Sequence, residues 1–364
     1  MDLKALLSAA WGLQPNKILP VEQGLINHTW LVHTSTADYI LQQINTHVFK
    51  DPQQLQQQLV ALSKKIDSDF LVPLRYIPSK SGLTCVGLDN QFYRLLAAIA
   101  PSRTLTRVTV EHTILAARAL KAFHDSLAQL NVHDWKEPIT HFLDVGIRME
   151  HFLLAKETAS LSRMQSAKAA VYLLESNWHY LLDWQAFLAR APKVLIHADP
   201  KLSNFLFHPN GKQVRALIDW DTIQLGSPFY DYADMIRSYC SFGEEVSEED
   251  SLFRADVFEA LVAAFQVDEA KLFTAACGVI LVQALRFLSD YLQNDVYYKV
   301  QHEHHNLRRA ENQLRLATEL KEYWFTTRKR GRWATCFDSV KFVRWGRERK
   351  FYRPERGFGN GQWL

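Results

Sequence analysis

The chain has 364 residues, enough for two lobes or two to three domains with ample core. It is 48% hydrophobic and 22% charged, as a globular protein is, and its net charge of +3 is too small to argue for a nucleic-acid or membrane partner. Cys85, Cys240, Cys277 and Cys336 lie far apart with no CxxC pair. That argues against a disulfide framework or a structural zinc site and fits a reducing compartment. The N-terminus has Asp2 and Lys4 around a short apolar stretch, as an amphipathic helix would. No uninterrupted run approaches 18 apolar residues, since Gly278–Val282 is broken by Gln283. The expectation is a cytosolic protein.

The first hundred residues read as a small sheet with one helix. Strands are expected at Ile18–Val21, Thr29–His33, Tyr39–Ile44, Val72–Ile77, Thr84–Gly87 and Gln91–Ala97. Asp51-Pro52 opens a helix to about Ile66, with Asp as N-cap and Pro at the first helical position. From about residue 104 the pattern turns helical: Val110–Leu127, 139–155 and 165–190 keep apolar residues at spacings of three and four. A β-rich island follows at Val194–His197, Phe205–Phe207 and Val214–Ile218, with Pro209-Asn210-Gly211 as a hairpin turn. Helices resume at Tyr230–Cys240, 251–265, 269–292 and 306–324. The acidic run Glu244–Asp250 reads as a solvated loop leading into a helix, where negative charge suits the dipole. Between 328 and 356 eleven Lys and Arg face only three acidic residues, so this stretch is markedly basic. The division expected is a first lobe over 1–100, a second over 101–324, and a basic aromatic tail over 325–364.

The chemistry is concentrated in the island. His197-Ala198-Asp199 is followed five residues after the Asp by Asn204, and fifteen further on by Asp219-Trp220-Asp221. This is the order in which phosphoryl-transfer sites set a base and a magnesium cage in one cleft. Asp199, just past a strand, is the expected base for an acceptor hydroxyl. Asn204 offers a neutral oxygen and Asp219 a charged one to Mg²⁺, and the intervening hairpin brings them together. His197 reads as a structural brace of the loop. Lys201 is placed to stabilise transferring phosphate or to contact the acceptor. His302-Glu303-His304-His305 looks like a metal cluster, but contiguous residues rarely converge on one ion.

The segment 195–237, with Leu-Ile-His-Ala-Asp-Pro-Lys-Leu-Ser-Asn, Ile-Asp-Trp-Asp-Thr and Asp231, Asp234 and Arg237, resembles the aminoglycoside phosphotransferase/choline kinase superfamily. The resemblance implies a two-lobed α+β protein-kinase-like fold, ATP as phosphate donor, Mg²⁺ as cofactor and Asp231 as a brace for the catalytic loop. Gln23–Trp30 resembles the nucleotide-covering loop, which makes Gly24, Asn27 and Thr29, with Gln42 on the third strand, the nucleotide-binding candidates. Tyr39–Asn45, Val48–Pro52, Arg286–Leu292 and His305–Ala310 are similar to the N-acetylhexosamine 1-kinase branch. That branch implies an amino-sugar acceptor phosphorylated at its anomeric hydroxyl, contacted by Arg309. Net charge argues against a membrane or nucleic-acid partner, with an RNA or membrane contact of the basic aromatic tail left open. An amino-alcohol, homoserine or aminoglycoside acceptor, or an inactive nucleotide-binding protein, stays open. One departure bears on the last: where the fold has a strand Lys paired to a helix Glu, this chain has Gln42 and Gln43 and a helix rich in Gln without Glu. Both halves of the ion pair are missing together, which strands no buried charge.

Overall fold

The computed structural model describes residues 2–21, 26–66, 69–128, 130, 132–241 and 253–328. Gly24, the acidic run Glu244–Asp250 and the tail from residue 329 onward therefore lie outside the described residues.

The N-terminal lobe is an antiparallel sheet of β1 (Lys17–Val21), β2 (His28–His33), β3 (Asp38–Ile44), β4 (Tyr76–Ile77), β5 (Val86–Leu88) and β6 (Gln91–Ala97). The order is β1-β2-β3-β6-β4, with β5 also on β6. Leu6, Leu7 and Trp11 of α1 (Leu3–Trp11) pack with Val32, Leu41, Tyr93 and Leu95 of the sheet. Helix α2 (Pro52–Ser63) starts as expected, the Asp51 carboxylate accepting from the Gln54 amide at 2.9 Å. The expected strand over 72–77 shrinks to two residues, because the Val72 amide donates to Arg215 O (2.7 Å) outside the sheet.

The second lobe holds α3 (Val110–Leu127), α4 (Val145–Thr158), α5 (Leu161–Ser176), α6 (Trp178–Arg190), α7 (Pro228–Tyr239), α8 (Ala255–Phe265), α9 (Glu269–Leu292) and α10 (His305–Thr327). The single helix expected over 165–190 is two helices. The Asn177 side chain turns back to Leu173 O at 2.7 Å and separates them. Residues 139–144 precede α4 as turns until Asp144 caps it through the Ile147 amide (3.0 Å). Helix α10 runs three residues past the expected start of the tail. Leu55, Leu59 and Leu62 of α2 share one core with Leu120 and Phe123 of α3, so apolar packing ties the lobes together.

Helix α9 is the spine of this lobe. By length and composition it could cross a membrane, the sole described helix that could, but most of its apolar stretch is buried inside the protein. Gly278 sits mid-helix because a Cβ there would lie 2.3 Å from Trp184 Cγ. Between the helices lie two short ribbons. β7 (Val194–Ile196) pairs with β10 (Gln224–Gly226), and β8 (Phe205–Phe207) pairs with β9 (Val214–Leu217). Gly211, at a φ of 75°, turns the second ribbon. Strand β10, three residues long, was not foreseen.

Candidate active site

The loop after β7 is held from below. Ala198 is left-handed at a φ of 66°, a conformation that costs a non-glycine residue on the order of 1 kcal/mol or more. Asp231, fully buried on α7, fixes it by accepting from the His197 amide (2.8 Å) and the Ala198 amide (2.7 Å). His124 of α3 hydrogen-bonds the same carboxylate through Nε2 at 2.8 Å. The Thr222 hydroxyl donates to His197 O (3.0 Å). His197 Nε2 lies 2.9 Å from Ile218 O, and its Nδ1 accepts from the Asp199 amide at 3.3 Å. Those bonds put the ring proton on Nε2, and burial pushes the imidazole pKa down, so the ring is neutral. His197 thus ties the Asp199 loop to the strand leading to Asp219.

The Ile218 amide donates to Asn204 O (2.8 Å), and Phe205 stands opposite Leu217 in the ribbon. Asn204 and Asp219 therefore flank the same rung. The Asn204 amide nitrogen donates to Asp199 O (2.8 Å) and Oδ2 (3.1 Å), which leaves its Oδ1 as the atom for a cation. Lys201 Nζ is 2.7 Å from the same Asp199 oxygen. The Asp199 side chain keeps 27% of its surface open to solvent. Asp219 is also left-handed, at a φ of 65°. Burial, then the charges of Asp221 and Asp199, push its carboxyl up to about 6. Burial works to lower the Lys201 ammonium, but Asp199, with Asp219 and Asp234, holds it above its ordinary value. The group is a concentration of negative charge with one ammonium, short of positive charge. Its donors, a carboxylate and an amide oxygen, suit a hard divalent cation. Among the described residues no group of three His, Cys, Asp or Glu converges on a metal position, and that includes His302–His305. There His304 instead bonds Tyr291 (2.9 Å) and His305 accepts from the Gln301 amide (3.0 Å).

Where the strand Lys and helix Glu are missing, the lobes are joined by a different buried ion pair. Arg94 on β6 forms a two-pronged pair with Asp221, at 2.6 and 2.7 Å, and both side chains are almost wholly buried. Gln42 stands directly across the sheet and accepts from Arg94 Nε (2.8 Å). Gln42 Nε2 in turn donates to the Thr29 hydroxyl (3.3 Å). The Asn27 amide donates to Asp221 (2.6 Å) and accepts from the Asn45 amide (2.9 Å). Asn27, Thr29 and Gln42, the residues expected at the nucleotide, thus belong to the network around this clasp between the lobes, which fills the remaining hydrogen bonds of the buried Arg–Asp pair. Two signals for it were present in the sequence: a lone Arg inside the strand Phe-Tyr-Arg-Leu-Leu, and the second Asp of Asp-Trp-Asp.

Beside this machinery opens a cavity of about 1880 Å³, walled by the start of α2, residues 136–151 and the second half of α9 with the loop after it. Asp199, Asn204 and Asp219 do not line it. Its wall joins the site through Gln224 of β10, whose Nε2 donates to Ile139 O (3.3 Å). Asp290 shapes the loop by accepting from the amides of Tyr297 (2.7 Å) and Tyr298 (3.0 Å) and from Asn306 Nδ2 (2.8 Å). Arg309, the expected sugar contact, is outside the lining. Its guanidinium serves Lys299 O (3.3 Å) and Asn306 Oδ1 (3.1 Å) and rests over Phe287. These contacts brace the loop, while Arg309 Nε is buried without a partner.

Residues 17–267 match the model of the phosphotransferase enzyme family, APH. Among curated proteins, acyl-CoA dehydrogenase family member 10 of Mus musculus is 42% identical over 45 residues, which is 12% of this chain and 4% of that protein. Solved structures with the same fold include a spectinomycin phosphotransferase with ADP and spectinomycin (TM-score 0.58, 12% identity, 88% of this chain and 98% of that one). A microcompartment-associated aminopropanol kinase aligns with TM-score 0.61, 18% identity and coverage of 88% and 97%. The amicoumacin kinase hAmiN with AMP-PNP, Ca²⁺ and Ami aligns with TM-score 0.59, 14% identity and coverage of 89% and 94%. At such identities the likeness speaks to fold alone. The family match covers well over half of the chain, on a two-lobed α+β kinase-like fold, and the chain belongs to the phosphotransferase enzyme family.

Proposed function

We propose that the chain is a small-molecule kinase that moves the γ-phosphoryl group of ATP to an alcohol, and that the alcohol is the anomeric hydroxyl of an N-acetylhexosamine. The observation that carries the transfer is the partly open Asp199 carboxylate, held beside Asn204 and near Asp219 on a loop that cannot shift without breaking the Asp231 bonds. Asp199 takes the hydroxyl proton as the acceptor oxygen bonds to the γ-phosphorus and the bond to ADP breaks. Asn204 Oδ1 and the Asp219 carboxylate would hold Mg²⁺, which when bound neutralises charge on the β- and γ-phosphates. Lys201, with its Nζ 2.7 Å from Asp199 Oδ2, would bring positive charge to the transferring group. Asp231 and His124 act through the loop and position the base. The Arg94–Asp221 clasp joins the lobes without a Lys–Glu pair, and other groups would have to hold the α- and β-phosphates. Fold neighbours captured with ADP or AMP-PNP support a nucleotide donor, and Ca²⁺ in one of them supports a divalent ion.

The sugar acceptor rests on the resemblance of 39–52, 286–292 and 305–310 to the N-acetylhexosamine kinases. Incubation with ATP, Mg²⁺ and separate acceptors tests it, with ³¹P NMR locating any new phosphate ester. A sugar 1-phosphate is expected. Phosphate on choline, an amino-alcohol or an aminoglycoside would move the acceptor class, and no transfer to any alcohol would overturn the kinase reading.

A further inference from the structure

Two side chains in the large cavity are used by nothing described so far. Arg148 on α4 and Arg286 on α9 both line it. Neither forms an ion pair among the described residues. Arg286 donates to Gln283 Oε1 at 3.2 Å and lies over the rings of Phe142 (5.7 Å) and Tyr298 (5.8 Å). Arg148 reaches only His141 O, at 3.5 Å, and its Nε is buried without a partner. The two are close enough to oppose each other: burial, then the charge of Arg286, hold the Arg148 guanidinium below the ordinary arginine value. The carboxylates of the wall do not answer them. Asp290 is filled by two backbone amides and Asn306, Asp51 caps α2, and Glu137 and Glu150 are exposed.

Burial penalises both guanidiniums, and no carboxylate among the described residues pairs with either; Tyr298, Tyr297 and Tyr230 nevertheless hold Arg286 above its ordinary value, so the penalty falls chiefly on Arg148. The planar guanidinium forks match the paired oxygens of a carboxylate or phosphate. Tyr297 and Tyr298, brought over the cavity by Asp290, add hydroxyls and ring faces of the kind that receive a sugar. Arg286 is also within electrostatic reach of Tyr230 and Arg237 on α7, the helix that carries Asp231 and Asp234. The cavity is roomier than the few hundred to about 1000 Å³ of a usual small-molecule pocket, so a substituted sugar fits.

Resting on the kinase reading above, we propose that the acceptor carries an anionic group, a carboxylate or a phosphate ester, remote from the hydroxyl that is phosphorylated, and that Arg148 and Arg286 hold it. The same pair repels choline, amino-alcohols and aminoglycosides.

Three probes separate the sources: N-acetylglucosamine, its 6-phosphate, and the corresponding 6-carboxylate. Calorimetric titration into the full chain reads affinity without any transfer, and turnover with ATP and Mg²⁺ reads kcat and KM. At least one anionic probe is expected to bind about tenfold or more tightly than the neutral sugar, as a charge-assisted contact should. Which anion wins identifies the group. In Arg148→Gln and Arg286→Gln that preference collapses about tenfold, chiefly through KM, while Arg→Lys at either position keeps part of it. Circular dichroism checks folding, and the Lys variants carry the test if a Gln variant does not fold. Equal or tighter binding of the neutral sugar, or a preference that survives both Gln variants, overturns the proposal. If the neutral sugar is phosphorylated with no Arg-dependent preference, the kinase reading stands and the anion site falls. If the anionic probes bind through the two arginines and no alcohol is phosphorylated, the site stands and the kinase reading falls.

Discussion

The two sides of the cleft handle charge in opposite ways. On the phosphate side Arg94 is matched by Asp221, Lys201 by Asp199, and Asp231 by two amides and a histidine. On the acceptor side Arg148 and Arg286 face a cavity with no carboxylate turned to either, among the described residues. The first arrangement is complete within the protein itself. The second, on the proposal above, is completed by an anionic group of the acceptor. On that reading preorganisation lies with residues of β6, α7 and the loops beside the ribbons, and selectivity with α4 and α9.

The largest effect should come from breaking the matched side. Arg94→Gln or Asp221→Asn leaves a buried partner unpaired, which costs about 3–5 kcal/mol. Urea unfolding of each should show it, and Arg94→Met with Asp221→Leu together should cost less than either alone. If each single change is nearly silent, the clasp does not join the lobes. A smaller loss separates fold from site. Gly278→Ala drives a Cβ into Trp184 and should lower stability by about 1–3 kcal/mol without changing KM for any acceptor. A KM change there would show that α9 transmits strain to Arg286.

The smallest effect concerns pH. His197 is fully buried and held neutral, with its folded pKa below the ordinary value near 6.5. The unfolded chain therefore binds one more proton below that value, and stability is lost as pH falls. The slope for one such group is at most about 1.4 kcal/mol per pH unit. His197→Asn should be less stable than the parent at pH 7.5, and the gap should narrow toward pH 5.5. A gap that stays constant over that range would mean that folding leaves the proton affinity of His197 unchanged, and a gap that widens toward low pH would mean that the folded protein holds it charged.

Much of the site was legible because it is local. Asp199, Asn204 and Asp219 lie within 21 residues, and one hairpin closes them into a cluster whatever the rest of the chain does. Asp231 was legible through the family pattern. His124 was not, because a histidine on an amphipathic helix looks like any half-polar position until the fold seats it under the loop. The clasp was misread as an empty place: Arg94 and Asp221 are 127 residues apart, and only the pairing of β3 with β6 sets Gln42 opposite Arg94. Arg309 was singled out at a position that matters, but its partners are the loop carbonyl and Asn306. The helices were mostly legible from their periodicity, the break at Asn177 excepted. It turns on one side chain bonding back four residues, which an apolar pattern does not register.

In the proposed transfer Asp199 takes the proton of an alcohol while the γ-phosphoryl group of ATP moves onto the alcohol oxygen. Turnover of wild type and Asp199→Asn, with ATP and Mg²⁺ and the best-bound sugar, measures this most directly, with ³¹P NMR following the sugar phosphate. Sugar 1-phosphate is expected from the wild type, with a rate about 10²–10⁴-fold lower from the variant and sugar affinity little changed. A variant that matches the wild-type rate would contradict it.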